Sequence, residues 1–298
     1  MYALETNNLT KKYGDKTVVD HVSLKVEKGT IFGFLGKNGA GKSTFINMVT
    51  GLTIPTEGSF KLPTGRQGVN IGVLPDYSTF YDDMTVLGHL KFFSRIMGLK
   101  LPKGEMIQIL KRVELEDAVN VKAKKLSFGM KKKLGIAQSL LNNPAILFLD
   151  EPTSGVDANS VLNIHSLIKN IASQGTTIFL TSHNLDEVEK LCDEISIMDK
   201  GCIKKQGSIT QLRNEFQNNL TVRFKHGEIP DEKYPALERE LRAYNTEINW
   251  GRNYVKLVVP NEKAISVINK YFIDMSIDIF RIEVDEPSLE EIFLSTGA

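Results

Sequence analysis

The run Gly36-Lys37-Asn38-Gly39-Ala40-Gly41-Lys42-Ser43 sets three glycines around a lysine and a hydroxyl. That combination suits a polyphosphate. Glycines let successive backbone N–H groups turn onto the anion, and a following helix adds the partial positive charge of its N-terminus. The lysine reaches the outer phosphates and the hydroxyl can ligate Mg²⁺. The run follows a strand-like stretch at 30–35 and opens a helical one near Ser43, the order of elements this chemistry needs. Gly36, Asn38, Gly39, Ala40, Gly41, Lys42, Ser43 and Thr44 are therefore candidate phosphate-binding residues, and Ser43 is also a candidate metal ligand.

Ile146-Leu147-Phe148-Leu149-Asp150-Glu151 is an apolar strand ending in two acids. Two acids after a strand are ordinary alone. Beside a phosphate loop they suit Mg²⁺ binding, held through water by Asp150, and polarisation of an attacking water by Glu151. His183 follows the apolar run 178–180 and Thr181-Ser182, at the C-terminal end of a strand, where α/β proteins place their ligand crevice. His21, His89, His165 and His226 have no such position and are expected to take no catalytic part.

These elements, with Leu126-Ser127-Phe128-Gly129-Met130 between them, resemble the ATP-binding cassette of ABC transporters over roughly residues 4–216. The family's motif order is reproduced. Tyr13 precedes the phosphate loop, the signature motif precedes the strand with the two acids, Ser154-Gly155-Val156-Asp157 stands at the D-loop, and His183 stands at the switch histidine. The resemblance implies an ATPase in which two cassettes, two copies or a copy and a paralogue, sandwich two nucleotides. It implies that Tyr13 stacks on adenine, that Ser127 and Gly129 meet the γ-phosphate across the dimer, and that His183 senses it. Phe128 and Met130 replace the commoner glycine and glutamine of the signature. Asp76, in Leu74-Pro75-Asp76-Tyr77, takes the place of the Q-loop glutamine and is a candidate nucleotide contact and Mg²⁺ ligand.

The elements that must position these residues alternate in type. Strand-like and helical runs follow one another through 30–35, 43–51 and 71–74, then 145–149, 161–173, 177–181, 185–192 and 195–198, as in an α/β domain with a partly parallel sheet. A β-rich opening precedes them. Residues 85–141 read as an inserted helical subdomain, since Leu87, Leu90, Phe93 and Ile96 recur at helical spacing, as do Met106, Ile109, Leu110 and Val113. From Leu220 the order is β-α-β-β-α-β, a ferredoxin-like α+β arrangement. The division expected is a P-loop cassette over 1–217 and an accessory domain over 218–298, with the boundary near Gln217.

With 37 basic and 36 acidic residues the formal charge of +1 gives no field for bulk nucleic-acid binding. The basic run Lys122, Lys124, Lys125, Lys131, Lys132 and Lys133 is expected to be a solvated face. No apolar stretch approaches the roughly 18 residues of a bilayer span, and residues 1–10 hold no apolar signal core. Cys192 and Cys202 are too few for a disulfide framework and read as packing residues, Cys192 on a helical run with Val188, Leu191 and Ile195.

The resemblance thus implies a cytoplasmic ATPase subunit, peripheral on the inner face of the membrane through a separate integral permease. The tail, closing in Glu286-Pro287-Ser288-Leu289-Glu290, is similar to that of exporter cassettes, so export is expected over import. A soluble ABC-type ATPase acting on nucleic acid or ribosomes is the alternative. Such proteins usually carry paired cassettes or long heptad arms, and neither is present here. A P-loop kinase or GTPase would lack the signature.

Overall fold

The computed structural model describes residues 1–65, 68–76, 78–216, 220–244, 248–285 and 288–296. These fall into two compact units, Met1–Ile209 with the described residues from Phe293 on, and Thr210–Ile292. The boundary expected at Gln217, the strand start expected at Thr246 and the Glu286-Pro287 pair lie outside the described residues.

In the first unit, β1 (Tyr2–Tyr13), β2 (Lys16–Val22) and β3 (Lys25–Glu27) lead into β4 (Ile31–Leu35), α1 (Lys42–Val49) and β5 (Glu57–Lys61). Strands β2, β1 and β3 form an antiparallel sheet with β5 added on β1. Leu4, Leu9, Val19, Val22, Leu24 and Val26 are buried together with Thr6 and Thr10, while Asn7, Asn8 and Lys12 face water, as in a sheet packed on one side. After the short pair β6 (Thr64–Gly65) and β7 (Gly68–Val69) come β8 (Ile71–Leu74), α2 (Val86–Ile96), α3 (Lys103–Arg112) and α4 (Phe128–Ser139). The helical subdomain expected at 85–141 is these three helices with two short 3₁₀ turns, Glu116–Ala118 and Ala123–Lys125. Thr85 caps α2 by accepting from the Gly88 N–H at 3.1 Å.

The chain returns to the sheet with β9 (Ile146–Asp150), α5 (Ala158–Ser173), β10 (Thr177–Ser182), α6 (Leu185–Leu191), β11 (Glu194–Asp199) and β12 (Cys202–Ser208). The strand order is β12-β11-β4-β10-β9-β8, parallel except for β12. Both faces are covered, so β4 and β10 are buried throughout; β4 reads in sequence as an apolar run, and β10 as the apolar stretch 178–180 between Thr177 and the Thr181-Ser182 pair. Phe32, Phe34, Phe45, Phe148 and Phe179 pack with ring centroids 4.8–6.0 Å apart. Phe45 brings α1 into that cluster, so the helix after the phosphate loop is fixed to the sheet.

The register sets the site. Leu35 pairs with Ser182, Thr181 with Asp150, and Leu74 with Leu149. The C-terminal ends of β4, β10, β9 and β8 are therefore nearly flush, and Gly36, His183, Glu151 and the Pro75-Asp76 turn leave the sheet along one edge.

Two expectations about packing change. Helix α6 stops at Leu191, Cys192 caps it and Ile195 belongs to β11. Cys192, Val188 and Ile195 still converge, because Gly33 opens a slot that all three line; a Cβ there would stand 2.8 Å from the Cys192 sulfur. Burial first, then Glu187 and Asp193, pushes that thiol well above its ordinary pKa. The lysine run is not uniformly solvated either. Lys132 is buried and Lys133 is largely covered and paired with Glu114, because α4 turns those positions inward.

Helix α7 (Ile209–Phe216) precedes the sheet of the second unit. There β13 (Leu220–His226), α8 (Tyr234–Arg242), β14 (Ile248–Gly251), β15 (Tyr254–Val259), α9 (Glu262–Asp274) and β16 (Ile279–Asp285) realise the β-α-β-β-α-β order, followed by α10 (Leu289–Ser295). The sheet order β14-β15-β13-β16 is wholly antiparallel. Val222, Phe224, Val255 and Leu257 pack with Leu237 and Leu241 of α8 and Ile268 and Phe272 of α9 into its own core.

Helix α4 lies so close to β8 that a Cβ on Gly72 would run into the Ser139 carbonyl. Gly72→Ala should lower stability by about 1–3 kcal/mol through overpacking, seen as a lower urea midpoint at unchanged slope. Gly104→Ala, where α3 is open, should instead be neutral or gain up to about 1 kcal/mol.

Candidate functional site

The phosphate loop springs from β4, and two of its glycines leave no room for a side chain. A Cβ on Gly36 would strike the Met198 carbonyl, and Gly41, at φ 112°, brings the backbone against Val18. Gly39 also sits at positive φ. The loop closes through Ala40 N–H to Lys37 O at 3.1 Å and Gly201 N–H to Ala40 O at 2.9 Å. Helix α1 begins at Lys42, whose buried ammonium donates to Gly36 O at 2.6 Å and Lys37 O at 3.3 Å. Burial pulls the Lys42 pKa down, while Glu151 and Asp150 oppose that shift. Ser43 is exposed in the first turn, Thr44 is half-buried, and Lys37 and Asn38 are exposed on the loop.

On the neighbouring strand β10, Thr181 organises the acids at the end of β9. Its hydroxyl donates to Asp150 Oδ1 and accepts from the Glu151 N–H at 3.1 Å. Glu151 has φ 49°, a left-handed conformation that costs a non-glycine residue about 1–3 kcal/mol. Its N–H also meets Thr181 O at 3.3 Å, and its carbonyl accepts from Lys132 at 3.0 Å. The side chain points to His183, with Oε2 2.9 Å from Nδ1. Glu151 is mostly covered while His183 is 65% exposed, so the pair has one protected member and one open to solvent.

Asp76, half-buried, lies at the turn after β8. Its carbonyl accepts from Lys132 at 3.0 Å and its Oδ1 is 4.0 Å from the same ammonium. Phosphate loop, both acids, His183 and Asp76 are thus gathered on one edge. Ser127 caps α4 by accepting from the Met130 N–H at 3.2 Å, and Gly129 leaves room for Ser160, whose side chain a Cβ would meet at 2.9 Å. The Phe128 ring lies over Gly155 of the D-loop segment. Tyr13 ends β1 with an exposed ring and Lys11 Nζ 5.0 Å from its centroid. Among the described residues no hydrogen bond joins Ser127 or Tyr13 to the acidic edge.

Hard oxygen donors flank Lys42, namely the Ser43 hydroxyl and the Asp150 carboxylate. One hydroxyl and one carboxylate suit Mg²⁺, which keeps several waters and takes one or two protein oxygens besides substrate phosphates.

Sequence reasoning missed Glu187. Its buried carboxylate accepts from Thr153 Oγ1 at 2.7 Å, Ser182 Oγ at 2.6 Å and His165 Nε2 at 3.1 Å. It ties the segment after Glu151, helix α5 and the end of β10 to α6. In sequence Asn184-Leu185-Asp186-Glu187 reads only as a helix start, and Asn184 does cap α6 by accepting from the Glu187 N–H at 3.2 Å.

The family described as ABC transporter matches residues 19–154. The bacitracin transport ATP-binding protein BcrA of Bacillus licheniformis is 31% identical over 299 residues, 98% of this chain and 96% of its own length. The linearmycin resistance ATP-binding protein LnrL of Bacillus subtilis is 31% identical over 304 residues, 98% and 97% of the two chains. The chain belongs to the ABC transporter ATP-binding proteins. A nucleotide-free ATP-binding cassette from an ABC transporter superposes with a TM-score of 0.65 at 27% identity, over 72% of this chain and 94% of that one. This ABC protein is an ATP hydrolase, and the kinase, GTPase and nucleic-acid-remodelling alternatives fall away. Both bacterial relatives extend through the second unit as well as the cassette.

Glu187→Leu should destabilise the protein by about 1–3 kcal/mol, because three donors lose their buried acceptor. Glu187→Gln, which keeps one carbonyl oxygen, should lose less. Urea unfolding of the two variants checks the order.

Proposed function

We propose that the chain binds ATP with Mg²⁺ on the phosphate loop, that Glu151 is the general base of hydrolysis, and that two cassettes close over two nucleotides to drive an integral membrane permease. The carrying observation is the Glu151–His183 pair on the edge that holds the phosphate loop. A protected carboxylate one strand beyond the histidine's is suited to accept a proton from a water aimed at the γ-phosphate. His183 Nδ1 fixes the direction of that carboxylate, and its exposed ring leaves it free to meet the γ-phosphate. Lys42 would exchange its loop carbonyls for the β/γ-phosphates, aided by the loop N–H groups and the α1 N-terminus. Mg²⁺, when bound, neutralises phosphate charge, with Ser43 and Asp150 as its protein oxygens and Asp76 as a further carboxylate within the site.

Tyr13 is assigned to the adenine, its exposed ring offering a stacking face. Ser127 and Gly129, at the N-terminus of α4, are assigned to the γ-phosphate of the opposing cassette, itself a second copy or a paralogue. No helix among the described residues is long and apolar enough to cross a membrane. The transport path is therefore assigned to the permease, with this subunit peripheral on its inner face and no nucleic-acid partner. The second unit carries no nucleotide motif and is assigned an accessory role in assembly or regulation. The relatives named for bacitracin transport and linearmycin resistance favour an antibiotic or amphipathic peptide as cargo.

Glu151→Gln should lower MgATP turnover about 10²–10⁴-fold while ATP still binds, so sizing chromatography with MgATP should show a dimer. Lys42→Ala should weaken binding itself and stay monomeric under the same conditions. Normal hydrolysis by Glu151→Gln would remove Glu151 from the role of base. Solubilised membranes should yield the chain together with an integral membrane protein, and its purification free of any such protein would count against the transport assignment.

A further inference from the structure

Lys132 is a long cation enclosed where a leucine or methionine would fill the space at no electrostatic cost. Its side chain is 5% exposed. Removing an ammonium from water costs several kcal/mol unless its donors are paired, and burial here pulls its pKa down against the opposing pull of Asp76, Glu151 and Asp150. The three donors of the ammonium face a specific set of oxygens: Asp76 O at 3.0 Å, Glu151 O at 3.0 Å and Asp76 Oδ1 at 4.0 Å. Two of these are main-chain carbonyls of residues on different strand ends. Those residues are the ones whose exact placement hydrolysis would need.

We propose that Lys132 is a positioning residue that pins the Asp76 turn and the Glu151 peptide to the signature helix, so that the seating of α4 sets the aim of the hydrolytic carboxylate. The Glu151 peptide is held from both sides, Thr181 on its N–H and Lys132 on its C=O, which is what a left-handed glutamate requires to persist. Lys132 follows Ser127 by five residues, about 7.5 Å along the helix. Its Nζ also lies 5.9 Å from the centroid of Phe128, whose ring covers Gly155. A shift at the signature end of α4 is thereby passed to the Glu151 backbone through one side chain. The acid at position 76 belongs to the same device, since its carboxylate is the nearest counter-charge to the ammonium. The functional part of this inference rests on Glu151 as the base; the pinning does not.

The test uses the full-length protein and Lys132→Met, which keeps length and removes the donors. Hydrogen exchange without nucleotide should rise in the peptides spanning Asp76 and Glu151 and stay unchanged in those of β4 and the second unit. MgATP turnover should fall about 10–10²-fold, as expected when a reacting group is displaced by an ångström or so, with ADP affinity unchanged. Unchanged exchange at both peptides would overturn the pinning, whatever Glu151 does. Raised exchange with normal turnover would overturn the link to hydrolysis. Turnover and ADP affinity falling together with a general rise in exchange would reduce Lys132 to a packing role. Should Lys132→Met not fold, Lys132→Gln, which keeps a shorter donor in the slot, is read by the same measurements.

Discussion

Parallel pairing of β4 with β10, and of β10 with β9, brings Leu35, Ser182 and the Thr181–Asp150 pair to one level of the sheet. Everything chemical in this protein depends on that alignment. A parallel ladder slipped by two residues would move Glu151 by about 7 Å along its strand, out of reach of His183. The phenylalanine cluster on one face of the three strands, with Phe45 from α1, resists such a slip, because each ring fills space shaped by the others.

Three buried charges then act as fasteners along the edge. Lys42 turns back on its own loop, Lys132 spans the ends of β8 and β9, and Glu187 gathers donors from three segments. None is enclosed in apolar surroundings without partners, as the cost of an unpaired buried charge demands. Charge-assisted hydrogen bonds are directional, so these fasteners fix orientation where apolar contact alone would fix only proximity. The strained peptide at Glu151 sits among them, gripped through both its N–H and its C=O.

The second unit is built on a different principle. An antiparallel sheet with two helices on one face needs only alternating apolar residues to close its core. Both bacterial relatives match over 98% of this chain, whereas the nucleotide-free cassette covers 72% of it.

Much of this was legible before any coordinates. The phosphate loop is local: its glycines, Lys42 and Ser43 are adjacent in sequence, and their chemistry follows from residue type and order. The buried strands announce themselves through short apolar runs, and the β-α-β-β-α-β order of the second unit is a matter of succession. What sequence could not supply is which residues share a place when far apart in the chain. Lys132 read as one lysine in a solvated run, since its neighbours in sequence are basic while its neighbours in space are carbonyls from 56 and 19 residues away. Glu187 read as the third residue of a helix start, although its partners lie on β10, on α5 and after β9. Motif residues were determined by the sequence because their function is carried by local backbone and side-chain type. The side chains that aim them were decided only by tertiary structure, because a buried charge is defined by the donors and acceptors that the fold brings to it.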